Sequence, residues 1–183
     1  MRKFSVLIVC VLCLATALAL TLAGVLAESA AGLRWTAPAG WKSEAPRPMR
    51  AATYSVAPAP GDEAAGEVVI NYFGSGQGGS VDANIERWKG QVHGSDGKPA
   101  TAAVAKRTVR GITMTTIDAS GAYSGMGGPM MTSPKAVPGY RLLGAIVEGP
   151  SGNVFVKLTG PANTVAANQQ KFDQLLGSFQ LDK

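Results

Sequence analysis

The chain has 183 residues, 46% of them hydrophobic and 16% charged, with a formal net charge of +5, one His and two Cys. Cys10 and Cys13 sit in an apolar leader, which excludes a disulfide scaffold, a Cys/His zinc site and a multi-domain enzyme. No thiol is left for chemistry in the body of the chain.

Met1, Arg2 and Lys3 form a short basic start, and no charged residue follows from Phe4 to Ala27. This is the layout of a secretory signal, with cleavage predicted after Ala27 in Val25-Leu26-Ala27. The uncharged run is also long enough to span a bilayer, so an uncleaved N-terminal anchor is the alternative. Either way the basic end stays in the cytoplasm, and residues 28–183 form one exported domain, periplasmic or extracellular. Cys10 follows Val9 and Cys13 follows Leu12, where lipidation needs a small residue. Without Arg2 and Lys3 the net charge falls to +3, and the dense basic group Lys106, Arg107 and Arg110 has no interleaved aromatics. No nucleic-acid partner is expected, and a membrane is expected only through an uncleaved leader.

After the leader, Gly and Pro supply 33 of 156 residues, which favours many short elements joined by turns. Leu33 to Trp41 reads as a strand broken at Pro38-Ala39-Gly40, Arg50 to Val56 as a second and Glu67 to Phe73 as a third, pairing as a meander. Ser80 is placed to cap a helix with Val81, Ile85, Trp88 and Val92 on one stripe, ending near Gly94. Ala102 to Val109 and Ile112 to Tyr123 read as strands around an Arg110-Gly111 turn. Tyr140 to Glu148 and Asn153 to Thr159 form a hairpin around Gly149-Pro150-Ser151-Gly152. Pro161 opens a last helix carrying Val165, Gln169, Phe172, Leu175 and Leu176 to Gly177, and Phe179 and Leu181 finish against the core. The order implies an α+β domain, an antiparallel sheet of about six or seven strands with two main helices packed on it.

Gly74, Gly76 and Gly79 satisfy G-x-G-x-x-G between a strand and a helix, yet Asp96, at roughly the offset of the ribose-binding acid, falls in a Gly/Pro turn. A flexible connector is the preferred reading. Ser95 and Lys98 have the Ser-x-x-Lys spacing, but Gly97 and Pro99 oppose the helix that would join them. A Ser-His-Asp arrangement must use His93, which reads as the polar end of a helix. Asp62 and Glu63 are adjacent in a loop and point apart. No catalytic, cofactor-binding or metal-ligating residue is therefore assigned, and the domain is read as non-enzymatic.

Ser124 to Gly139 is a long connector of Gly, Pro, Met and Ser, the kind of loop that carries function. Met126, Met130, Met131 and Tyr140 are its candidate partner surface. With Met114 on the preceding strand, the thioethers also offer a Cu(I) or Ag(I) site, set against the adaptable packing that Met supplies. Trp35, Trp41 and Trp88 read as core rather than as a carbohydrate platform.

The Pro38-Ala39-Gly40-Trp41 turn, the Val68 to Phe73 strand leading to a helix, the later hairpins and Phe172-x-x-Leu175-Leu176-x-Ser178-Phe179 together resemble the PsbP-like fold. Tyr140 to Glu148 and Phe155 to Pro161 are similar to uncharacterised exported proteins of environmental bacteria. The resemblance implies the architecture and an accessory binding role, as in the extrinsic photosystem subunit and a Ran-binding import factor, with no ligand residues carried over. The expected function is an exported, non-enzymatic binding or accessory domain without a cofactor. Its partner is an envelope or extracellular protein or a small ligand; the alternatives are a Met-based metal binder and a small hydrolase centred on His93.

Overall fold

The computed structural model describes residues 28–125 and 136–182. The predicted leader and Met126, Met130 and Met131 lie outside these residues. Eleven strands and three helices are found among the described residues: β1 (Glu28–Ala30), β2 (Leu33–Trp35), β3 (Lys42–Ser43), β4 (Arg50–Val56), β5 (Gly66–Tyr72), α1 (Val81–Lys89), β6 (Val92–His93), β7 (Ala102–Val109), β8 (Ile112–Tyr123), β9 (Val137–Gly149), β10 (Gly152–Pro161), α2 (Ala162–Ala167), α3 (Gln169–Ser178) and β11 (Gln180–Leu181). Six strands have seven residues or more, and these are the six longer ones read from the pattern. The expected six or seven is exceeded because β1, β3, β6 and β11, four strands of two or three residues, leave too little periodicity to read.

The main sheet runs β3-β4-β5-β10-β9-β8-β6, with β7 paired along the same edge of β8 as β6, and every pairing is antiparallel. Arg110 (φ 50°) and Gly111 (φ 79°) supply the two left-handed residues that a two-residue hairpin between β7 and β8 demands. The β9–β10 hairpin pairs Gly149 with Gly152 and runs to Tyr140 opposite Pro161, longer than predicted at both ends.

Four expectations need correction. Leu33–Trp35 does not pair with β4; it joins β1 and β11 in a separate three-stranded sheet, because Trp35 buries its ring against Phe179 beside β11, with centroids 5.3 Å apart. The first predicted helix ends at Gly90, and Val92 and His93 instead form β6 opposite Tyr123 and Ala122. The last helix is two helices broken at Asn168, whose side chain donates to the Thr164 carbonyl (2.9 Å) and accepts from Trp41 Nε1 (3.0 Å). A local side-chain acceptor and donor thus displace one helical turn. Leu181, expected in the core, is 55% exposed.

The sheet is buried on both faces by different partners. Val68, Ile70, Ala145, Val154, Val156 and Leu158 point to α2, α3 and the small sheet, meeting Val165, Phe172, Leu175 and Phe179. On the opposite face Ile117, Leu142, Ile146 and Phe155 meet Ile85 and Trp88 of α1. Strand alternation makes this division: Phe155 faces α1 while Val154 and Val156 face α3. Gly144 lies under Trp88, and a Cβ there would stand 2.6 Å from Trp88 Cζ3 and 2.7 Å from Ile117 Cγ2. All three Trp are buried, in agreement with the core reading.

Candidate functional site

Beside α1, on the same face of the sheet, a basin of about 310 Å³ opens over β4, β5 and β10. The alternation that sends Val156 and Leu158 into the core turns Lys157 and Thr159 the other way, so both line the basin. Lys157 is opposite Val69 on β5 and Gly144 on β9, which puts it in the interior of the sheet. Its ammonium donates to Gln91 Oε1 (3.2 Å) and stands 5.8 Å from the centre of the Trp88 ring. Gln91 is neutral, so this contact leaves the charge of Lys157 uncompensated.

Arg50 on β4 and Glu67 on β5 form the second charged element. Arg50 Nη1 donates to Glu67 Oε1 at 2.8 Å, and Arg47 lies 3.8 Å from the same oxygen. Thr53 Oγ1 accepts a further bond from Arg50 (3.3 Å), and Asn71 Nδ2 is committed to the Met49 carbonyl (2.7 Å). The one carboxylate of the basin is therefore shared between two guanidinium groups, while the cations Arg50 and Lys157 both face the space.

Burial depresses the Lys157 pKa to about 8, with the nearby Arg87 and Arg50 charges acting the same way and Glu67 opposing them. Tyr123 closes the far side. Its ring stacks on Tyr140, with centroids 6.2 Å apart and planes within 2°, and its hydroxyl is raised in pKa by burial and by the Glu67 charge, against a hydrogen bond with Thr159. Tyr140, one of the four predicted partner residues, is half-buried and stacks on Tyr123 without itself lining the basin. The other three lie outside the described residues.

The remaining sequence candidates do not join this site. Met114 is fully buried in the core that faces α3, opposite Val147 of β9 and nine positions along β8 from Tyr123; the other thioethers of the predicted Cu(I) or Ag(I) site lie outside the described residues. His93 is held in β6 by Ala122 and by a bridge to Pro99, not at a helix end. Among the described residues no group of three His, Cys, Asp or Glu is placed to hold a metal ion. Ser95 and Lys98 lie in a turn closed by Gly94 N–H to the Lys98 carbonyl (2.8 Å), as Gly97 and Pro99 imply. Gly74 to Gly79 is a connector from β5, which pairs antiparallel with both of its neighbours, to α1, and Ser80 caps α1 through the Ala83 amide (3.2 Å).

A second groove, of about 190 Å³, separates β7 and β8 from α3. Its charges are already matched within the chain. Arg107 pairs with Asp173 (3.2 Å), and Arg141 clasps Asp118 with two bonds (2.8 and 2.6 Å) and also donates to Gln169 (2.9 Å). Fork-to-fork pairing satisfies Arg141 and Asp118, while Arg107 makes a single bond to Asp173 and keeps a buried Nε without a partner among the described residues; its charge is nonetheless neutralised, which that of Lys157 is not.

No family model matches the chain, and neither does any curated protein. Among solved structures it is similar to PA94 of Pseudomonas aeruginosa, a protein of unknown function, with 14% identity, a TM-score of 0.46, and 79% of this chain covering 88% of that one. It is also similar to cyanobacterial PsbP (CyanoP) of Synechocystis sp. PCC 6803, with 12% identity, a TM-score of 0.48, and 85% of this chain covering 89% of that one. A PsbP structure is thus among those this chain resembles, and the likeness is one of overall architecture.

Proposed function

We propose that the protein is an exported, non-enzymatic binding domain that takes a small ligand in the basin between β4, β5 and β10. The observation that carries this reading is Lys157, a charged side chain held inside a sheet with no carboxylate bonded to its ammonium among the described residues, beside a space of about 310 Å³. Even a half-buried charge costs stability unless it is paired, so a sheet that retains one next to a cavity has the mark of a site shaped for a ligand. A concave, partly apolar space with a few convergent polar groups suits a small molecule better than a flat protein face.

Export rests on the leader read from the sequence. Chain recovered from outside the cytoplasm of an expressing bacterium is expected to begin at Glu28, as read by intact mass and N-terminal sequencing. A leader still attached would instead favour the N-terminal anchor.

The ligand reading is checked by amide NMR with a library of small neutral, anionic and cationic fragments. Saturable shifts are expected at Val69, Lys157 and Thr159. Shifts confined to the α3 groove, or none at all, would remove the basin as the site.

A further inference from the structure

The lining of the basin narrows the chemical class of its ligand, an inference that rests on the reading just given. Arg50 and Lys157 bring two positive charges to the space and Glu67 one negative charge, already engaged by Arg50 and approached by Arg47. Arg87, on the adjoining end of α1, adds a further positive field at Lys157. The local balance favours an anion, and the carboxylate in the wall disfavours a second negative charge on it.

The rest of the wall is not that of an inorganic anion site. Val69 and the stacked Tyr123 give apolar surface, while Thr159 adds a hydroxyl. A space of about 310 Å³ is at the low end of those that take small organic ligands. A single charged head on a short apolar or aromatic body fits both size and polarity.

We infer that the basin binds a small organic monocarboxylate, whose oxygens meet the Lys157 ammonium and the Arg50 guanidinium while its body lies along Val69 and Tyr123. Lys157 supplies the unpaired positive charge, and Arg50 is suited to the planar carboxylate because a guanidinium presents donors in a fixed fork.

Binding then depends on pH in a defined sense. The groups facing Lys157 are Arg50 of β4, Glu67 of β5, Arg87 and Trp88 of α1, Gln91, and Tyr123 of β8. Lys157 loses its proton as pH rises through about 8, whereas the raised Tyr123 hydroxyl stays neutral to higher pH than a free tyrosine. Affinity for a carboxylate is highest below that point and falls above it, and binding near it takes up protons.

The test is calorimetric titration of the full chain with benzoate, propanoate, benzamide and inorganic phosphate near neutral pH. Benzoate or propanoate is expected to bind, benzamide not to bind, and phosphate to bind more weakly. Loss of a charge-assisted hydrogen bond predicts a Kd at least about tenfold higher in Lys157→Met, and for the unaltered chain near pH 10. Arg50→Gln is a second variant that leaves Lys157 in place and is expected to weaken binding in the same direction; circular dichroism verifies that both variants are folded. Equal affinity for benzamide and benzoate, tighter binding of phosphate, or an unchanged Kd in folded Lys157→Met would overturn the inference. Neutral fragments shifting basin amides while both carboxylates fail would overturn the carboxylate and leave the basin standing; no fragment binding at all removes both.

Discussion

Replacing Gly144 with Val is expected to destabilise the fold by about 3 kcal/mol, at the upper end of the cost of overpacking a core. Gly144 is in the middle of β9 between Ile117 on β8 and Lys157 on β10, directly beneath the Trp88 ring. A Cβ there would stand 2.6 Å from Trp88 Cζ3, well inside contact distance, and the sheet on either side leaves the backbone no room to retreat. Trp88 must tilt outward. It is the largest anchor of α1, so the helix is expected to lift from Ile117, Leu142 and Phe155. The Trp88 ring also flanks the Lys157 ammonium, and its displacement would expose that group further to water. Urea unfolding followed by tryptophan fluorescence reads the stability loss, and hydrogen exchange locates it in α1. Gly111→Ala is the control. Gly111 has a left-handed φ of 79° and nothing within 4 Å of its Cβ position, so its cost is conformational alone, about 1 kcal/mol. If Gly144→Val were no worse than Gly111→Ala, the close packing of Trp88 on the sheet would be wrong.

Gly144 also illustrates what a sequence exposes. A lone glycine inside the apolar run Tyr140 to Glu148 signals a close approach by something, but only the fold names Trp88, 56 positions earlier, as that neighbour. The six long strands were legible because each carries enough alternation or β-branched residues to outweigh its surroundings. The short ones were not: Lys42–Ser43 and Val92–His93 are strands only because β4 and β8 lie beside them. Val92 continues the stripe of α1 at helical spacing, and its pairing with Tyr123 overrides that pattern. At Asn168 the helical periodicity of Val165 and Phe172 runs through a break made by a side chain that bonds both Thr164 and Trp41.

The basin was illegible for a related reason. Lys157 stands between Val156 and Leu158 and reads as the polar half of an ordinary alternating strand, the face that an antiparallel sheet usually turns to water. Its position in the sheet interior follows from β10 pairing with both β5 and β9. Arg50, Glu67, Tyr123 and Lys157 come from four strands, and no local spacing joins them. The connector after Tyr123 drew notice by its composition, and of the residues assigned to its surface Tyr140 stacks on Tyr123 without itself lining the basin.

Lys157→Met is expected to change how stability depends on pH, and the sign follows from where the proton sits. In the unfolded chain this amine holds its proton up to about 10.5, whereas in the folded protein it releases it near 8. Between those values the unfolded state binds more protons, so stability rises with pH; below about 8 both states are charged and the full burial cost is present. A shift of this size corresponds to about 3 kcal/mol, lost from the fold at neutral pH and regained as Lys157 becomes neutral. Met has nearly the same shape and no charge, so it removes that rise. It also forfeits the bond to Gln91 and the contact with Trp88, which leaves a net gain of about 1 to 2 kcal/mol at neutral pH. Parallel denaturant titrations of the two proteins at several pH values isolate the effect in their difference, since every other group titrates in both. The gap is expected to favour Met at neutral pH and to close, then reverse, toward pH 10. A constant difference across the range would mean that Lys157 is solvated like a surface amine, and the basin would lose the unpaired charge that defines it. A variant that is more stable yet has lost its affinity for carboxylates is the combination expected of a residue kept for binding at the expense of stability.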